Sequence, residues 1–303
     1  MDKKIKSLSV YQKNLVLKSS GDDALQSEEY LITQSIYEPM FGKLAEETQY
    51  NPDGQVEQVM RYGYDDKGFL ISEELLDGDG NVLEKRSFEA DEQGRIAREF
   101  IHYADDTADR IEYSYDEQDR VVKKDRFDDD GDPETTERFE FDGDRIIRES
   151  VTDADGEILS ETVYKYRDDG QLEEMLVNKP EEETWFRKVY RYDEAGVREA
   201  VTTYNQDEEP VERVVFEHDE QGRPTKVVDE NRRQKNTLHM EYNEHGEIVF
   251  QEEYDMNGEL VNRIERTYAA DGLLLESHVL VRNFQRNVSR NYTLRNEYSF
   301  YES

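Results

Sequence analysis

One turn returns along this chain at a fixed interval. It reads Tyr64-Asp65-Asp66-Lys67-Gly68, then Ala90-Asp91-Glu92-Gln93-Gly94, then Tyr115-Asp116-Glu117-Gln118-Asp119, and further copies begin at Phe141, Tyr166, Tyr192, His218, Tyr242 and Tyr268. Successive copies start 24 to 26 residues apart. A constant period of this size restricts the chain to repeat architectures, in which each unit covers its neighbours. Length alone would suggest two domains, but the 303 residues then read as one continuous array.

A second turn falls midway in most repeats: Asn51-Pro52-Asp53-Gly54, Asp77-Gly78-Asp79-Gly80, Asp128-Asp129-Asp130-Gly131, Asp153-Ala154-Asp155-Gly156 and Asp255-Met256-Asn257-Gly258. Asp and Asn bond their own backbone in such turns, and Gly takes positive φ without steric cost. Two short turns per period leave two strands of about seven or eight residues each, rich in Val, Ile, Thr, Tyr and Phe, with connections too short for helical crossovers. The expected fold is therefore all-β: an extended antiparallel sheet of about twenty strands built from ~25-residue β-hairpin repeats, twisted or partly rolled. Neither face of a strand such as Ile158 to Tyr166 is purely apolar, so cross-strand charge pairs and Tyr packed over long side chains should supply much of the cohesion.

The organisation reads as an N-terminal segment with entry strands at 1–36, the repeat array at 37–275 and a basic C-terminal cap at 276–303. Residues 1–9 look loose. Residues 22–36 can be read as a short helix behind Asp22-Asp23, but Glu29 to Tyr37 also reads as a strand, and the half-repeat spacing favours the strand. The last segment, Tyr292 to Phe300, alternates cleanly and is expected to close the array as an edge strand, its charges protecting the edge. Val177 to Glu183 replaces a regular turn ahead of Trp185, and Val228 to Asn236 is a basic turn without glycine.

Charge narrows the functions. The chain carries −35 overall, whereas residues 1–18 hold five Lys against one Asp, and residues 277–296 hold Arg282, Arg286, Arg290 and Arg295 with no acid. An acidic body of this kind repels nucleic acid and anionic membrane. With no cysteine, disulfides, thiolate metal sites and Cys nucleophiles are excluded. No apolar h-region follows the charged start and no run approaches the roughly 18 apolar residues of a membrane helix, so the chain reads as cytoplasmic, or secreted if a leader was removed.

Turns such as Tyr115-Asp116-Glu117-Gln118-Asp119-Arg120-Val121 and Tyr242-Asn243-Glu244-His245-Gly246-Glu247-Ile248 resemble the Tyr-Asp-x-x-Gly-Arg-Leu signature of YD repeats, found in bacterial Rhs and insecticidal toxin-complex proteins. Phe88 to Ile96 and Phe216 to Arg223, each with Asp-Glu-Gln-Gly-Arg, are similar. The resemblance covers about residues 37–275 and implies long β-sheets that wind into a shell, a structural role rather than an activity. The chain departs from it by losing Tyr at Ala90 and His218 and Gly at Asp119 and Asp144, and by having no self-cleaving core or toxin domain. A weaker likeness is to MORN-variant repeat proteins, some of which look like antitoxins.

No catalytic constellation stands out. Carboxylates are too many for any acid–base pair to be singled out, and no Ser-centred elbow, P-loop or dinucleotide fingerprint is present. The five His are scattered, and the Asp-x-Asp-Gly turns lack the full EF-hand ligand set, so they read as hairpin turns; whether they also hold calcium stays open. The expectation is no enzyme, no cofactor and no metal. What remains is a scaffold that binds protein partners through an extended sheet face, with Trp185, Phe186, Arg282, Arg286 and Arg290 as contact residues, the partner being basic or a second copy of the chain. The alternative is an immunity protein that neutralises a basic toxin or nucleic-acid enzyme by charge mimicry.

Overall fold

The computed structural model describes residues 4–14, 28–283 and 288–302, without the side chains of Asn283 and Val288. Its strands are β1 (Ile5–Asn14), β2 (Glu29–Tyr37), β3 (Leu44–Tyr50), β4 (Val56–Tyr64), β5 (Leu70–Asp77), β6 (Val82–Ala90) and β7 (Ile96–His102). There follow β8 (Ala108–Tyr115), β9 (Val121–Phe127), β10 (Pro133–Asp142), β11 (Arg145–Asp153), β12 (Ile158–Tyr166), β13 (Leu172–Lys179), β14 (Thr184–Tyr192) and β15 (Arg198–Tyr204). The last are β16 (Pro210–His218), β17 (Pro224–Asn231), β18 (Lys235–Tyr242), β19 (Ile248–Tyr254), β20 (Leu260–Tyr268), β21 (Leu274–Asn283) and β22 (Val288–Phe300). A single turn of 3₁₀ helix, Pro180–Glu182, is the only helix among the described residues.

The chain divides into two compact units, Met1–Lys85 with Thr237–Ser303, and Arg86–Asn236. In the second, β7 to β17 pair in sequence order, each antiparallel to the next. In the first, β18 to β22 lead directly into β1, and β1 leads on to β5. All the strands belong to one 22-stranded sheet.

That order overturns the expected open or partly rolled sheet. β1 sits between β2, where Leu8 faces Ser35, and β22, where Leu8 faces Tyr298, so the sheet closes into a β-barrel. Two further readings fall with it. Ile5 to Ser9 are strand rather than loose chain, and Tyr292 to Phe300 form an inner strand rather than an edge. The physical reason is shared: an edge leaves a row of backbone N–H and C=O groups unpaired, and joining the two ends removes both edges at once. The strand favoured at Glu29 to Tyr37 is present as β2, while residues 22–27 lie outside the described residues.

Eight hairpins closed by the recurring turn carry the same irregularity at the same place. The register shifts at Gly63/Tyr64, Ser114/Tyr115, Glu140/Phe141, Lys165/Tyr166, Arg191/Tyr192, Glu217/His218, Glu241/Tyr242 and Thr267/Tyr268, always at the aromatic or His that opens the recurring turn. A bulge bends its strand and re-aims the side chain beside it, so this residue is turned toward the neighbouring repeat.

The interior is thin, as the composition requires. Buried apolar residues are Leu76, Val177, Ala200 and Val279, whereas the buried polar set is larger: Ser35, Thr48, Glu99, Asp109, Thr203, Ser277 and Thr293. Cohesion comes instead from ladders and cross-strand charge pairs. Arg148 lies between Glu140 (3.4 Å) and Glu161 on one face of the second unit, and Lys124 meets Glu137 at 2.7 Å on the other. Half-exposed pairs of this kind contribute about 0–1 kcal/mol each.

Candidate functional site

The recurring turn is built by its first acid. Asp65 Oδ1 accepts the backbone N–H of Lys67 at 2.9 Å and of Phe69 at 2.8 Å, and the Gly68 N–H closes the turn on the Asp65 carbonyl at 3.0 Å. Asp91, Asp116, Asp219 and Asn243 repeat the arrangement. The hydrogen bond from Arg120 holds the Asp116 carboxyl below the usual carboxylate range, so it stays charged at neutral pH. Gly68 adopts φ +86°, and a Cβ there would lie 2.8 Å from the Phe41 ring.

The aromatic residue before that acid ties the turn to the preceding repeat. Tyr64 Oη donates to the Leu44 carbonyl (2.7 Å), Tyr115 to Ile96 (2.7 Å), Tyr166 to Ile146 (2.7 Å), Tyr192 to Leu172 (2.8 Å) and Tyr268 to Ile248 (3.1 Å). A cation from the preceding repeat covers many of these rings. Arg95 lies 4.3 Å from the Tyr115 centroid, Arg120 4.0 Å from Phe141 and Arg167 5.4 Å from Tyr192. Arg95 also binds Asp91 (2.7 Å) and Asp119 (2.5 Å). Conserving charge this way commits the basic residues of the turn region to the chain itself.

The residue after the structural acid has no such task. Asp66, Glu92, Glu117, Glu194 and Glu220 occupy this tip position, as Asp168 does in the turn where Arg167 replaces the acid; all are exposed and form no ion pair within 4.0 Å among the described residues. Within the second unit the recurring turns come every second strand, a spacing of about 10 Å, and carry an acidic tip except at Gly143. The arrangement is a row of hydrated carboxylates on a stiff backbone, suited to binding cations and to no bond-making chemistry of its own.

The residues expected to contact a partner are dispersed. Trp185 and Phe186 are neighbours on β14 and so point to opposite faces; Phe186 lies opposite Val177, with the Lys188 ammonium 5.6 Å from its ring, and Trp185 lies opposite Asn178. Both are half-buried. Arg282 pairs with Ser289 and Arg290 with Val281, which puts the two guanidinium groups on opposite faces of β21–β22, and both are exposed. Arg286 lies outside the described residues. The three arginines seen together in the sequence thus do not form one patch.

Two buried acids escaped the sequence reading. Glu99 is 7% exposed, accepts Tyr113 Oη at 2.8 Å and meets Arg86 at 3.1 Å; Asp109 is 4% exposed and meets Arg126 at 2.5 Å. Burial, reinforced by the Glu99 carboxylate, pushes the Tyr113 phenol well above its ordinary value. The signal available was phase: Glu99 alternates with Ala97 and Ile101, and Asp109 with Ile111. Asp229 is raised by burial, with Glu212 adding to the effect, and its Oδ1 has no hydrogen-bond partner.

No protein-family model and no curated protein matches the sequence. Solved structures similar in fold include the Tc holotoxin pore of Photorhabdus luminescens (14% identity over 90% of this chain, TM-score 0.46) and a TcdB2-TccC3 structure without its hypervariable C-terminal region (15% over 91%, TM-score 0.48). This chain spans 16% of the length of each of those. A porin-like protein from Bacteroides uniformis is matched at 9% identity over 97% of this chain and 98% of that one, with a TM-score of 0.36. At TM-scores below 0.5 none of these matches carries an argument about this chain. Among the described residues no helix is long and apolar enough to cross a membrane, which says nothing of a β-barrel.

Proposed function

We propose that this chain is a non-catalytic, YD-type β-repeat protein that binds a basic protein partner through its acidic turn tips. The observation that carries the reading is the asymmetry of the charges. Arginines beside the turns are committed to acids and rings of the chain, as Arg95, Arg120 and Arg223 are, while the tip carboxylates face solvent without a cation. Such a surface raises the association rate of a basic partner and rejects acidic competitors. A lipid-embedded role fits poorly: charged pairs occupy both faces of the strands, Arg148 with Glu161 on one and Lys124 with Glu137 on the other, and a lipid-facing barrel needs an apolar band.

The test is capture of partners from source lysate on the tagged chain, at about 50 mM and about 500 mM salt, with salt screening as the discriminant. One stoichiometric basic partner, lost at high salt and weakened when Glu92, Glu117, Glu194 and Glu220 are changed to Gln, supports the reading. If that partner is a toxin or a nuclease, the binding serves inhibition. A partner that is acidic, or indifferent to salt and to the four substitutions, overturns it.

A further inference from the structure

Beside the start of β22, a cavity of about 450 Å³ is lined by Gln12 and Asn14 of β1, Tyr30 of β2, and Arg290, Asn291 and Tyr292 of β22. It belongs wholly to the first unit and uses none of the turn tips. The ladder explains the convergence. Asn14 lies opposite Tyr292 and Gln12 opposite Tyr30, so with Arg290, two residues before Tyr292, they share one face.

The lining is polar and only partly engaged with itself. Gln12 Nε2 donates to Asn14 Oδ1 at 2.7 Å, and Asn14 Nδ2 donates to Tyr30 Oη at 3.3 Å. Tyr30 Oη, having accepted, keeps its own proton, and among the described residues Gln12 Oε1 and the second Asn14 N–H are likewise open to a ligand. Arg290 differs from the arginines around it. Nearby Arg295 is gripped by Glu29 (2.9 Å) and Glu297 (2.5 Å), whereas Arg290 has no acid within 4.0 Å among the described residues, in a chain of net charge −35. A guanidinium with no acid beside it among the described residues, at the wall of a cavity, is a seat for an anion.

We infer that this cavity binds an acidic sugar, a hexuronate or a short chain ending in one. Each part of such a ligand has a counterpart. The planar guanidinium fork of Arg290 suits a carboxylate. The side-chain amides of Gln12 and Asn14 suit adjacent hydroxyls, each of which both donates and accepts. Tyr30 and Tyr292 supply apolar ring faces with polar tips, matching the apolar face of a pyranose. The volume lies within the range of small-molecule sites.

Titration of the full-length protein with glucuronate, followed by calorimetry and by saturation transfer to the sugar protons, tests this. Glucose and acetate serve as the two half-ligands. The expected result is saturable glucuronate binding at one site per chain, with glucose and acetate each weaker by about tenfold or more. Arg290→Gln should weaken glucuronate by about tenfold or more, since it removes the charged fork that holds the carboxylate. Arg290→Lys, which keeps the charge and loses the fork, should fall between. Arg290 is exposed, so an unchanged melting temperature will show that both variants fold. The inference is overturned if glucuronate does not saturate the protein, if acetate binds equally well, or if Arg290→Gln leaves the affinity intact.

Discussion

A single turn position decides much of the local stability. Gly68 at φ +86° has the Phe41 ring against its Cα, so Gly68→Ala adds both left-handed strain and a contact at 2.8 Å. It is expected to cost about 1–2 kcal/mol, read as a lower urea midpoint. Asp106 sits in the same backbone region, at φ 68°, without the glycine. There the opposite substitution, Asp106→Gly, should raise the midpoint by an equivalent of up to about 0.5 kcal/mol. The phenol staple makes a second pair of opposites. Tyr192→Phe removes the bond to the Leu172 carbonyl and should cost about 1 kcal/mol. Phe141 keeps the Arg120 stack but has no hydroxyl, so Phe141→Tyr should gain up to about 1 kcal/mol if its new Oη reaches the Val121 carbonyl. Equal midpoints for all four variants in urea unfolding would refute this account of the turn.

At the scale of the hairpin, the same groups set the pH range of the fold. Burial raises the phenols of Tyr62, Tyr64, Tyr164, Tyr166, Tyr190, Tyr192 and Tyr298 above the ordinary value of 10.0. A raised folded-state pKa gives stability that is complete below about pH 10 and is lost as pH climbs through the folded values. Hydrogen bonds depress the turn acids: the Asn81 side chain acts on Asp77, Arg120 on Asp116 and the Glu259 backbone on Asp255. Their contribution is present above about pH 4 and is lost as pH falls through the depressed values. The urea midpoint should therefore be level from about pH 5 to 9 and fall on both sides; a decline already under way at pH 8 contradicts this. The hairpins were legible in the sequence because their chemistry is local: the Asp and its two N–H partners lie within four residues. The site was less so. Arg282 and Arg290 look clustered along the chain, but strand alternation separates them across the sheet, and Gln12, Tyr30 and Arg290 meet only through pairings between β1, β2 and β22.

For the molecule as a whole, closure is the feature that local patterns could not announce. It joins β1 to β22, so that Ser7 Oγ and Ser299 Oγ come within 2.6 Å across 292 residues of sequence. The alternating pattern of Tyr292 to Phe300 revealed a strand, but it carried no mark of its partner, and an edge strand reads the same way. Closure also gives the acidic surface its stability, because a sheet with two exposed ends and so little buried apolar area would offer open ladders to other chains. The direct measurement is a disulfide between the two ends. The chain has no cysteine, so Ser7→Cys with Ser299→Cys introduces the only thiols, at positions that face each other across the ladder. The account predicts that the doubly substituted monomer oxidises to an intramolecular bridge, seen by mass spectrometry, with a raised melting temperature that reducing agent returns to the starting value. Free thiols after oxidation, or bridges only between molecules, would mean that the ends do not meet and that the sheet is open.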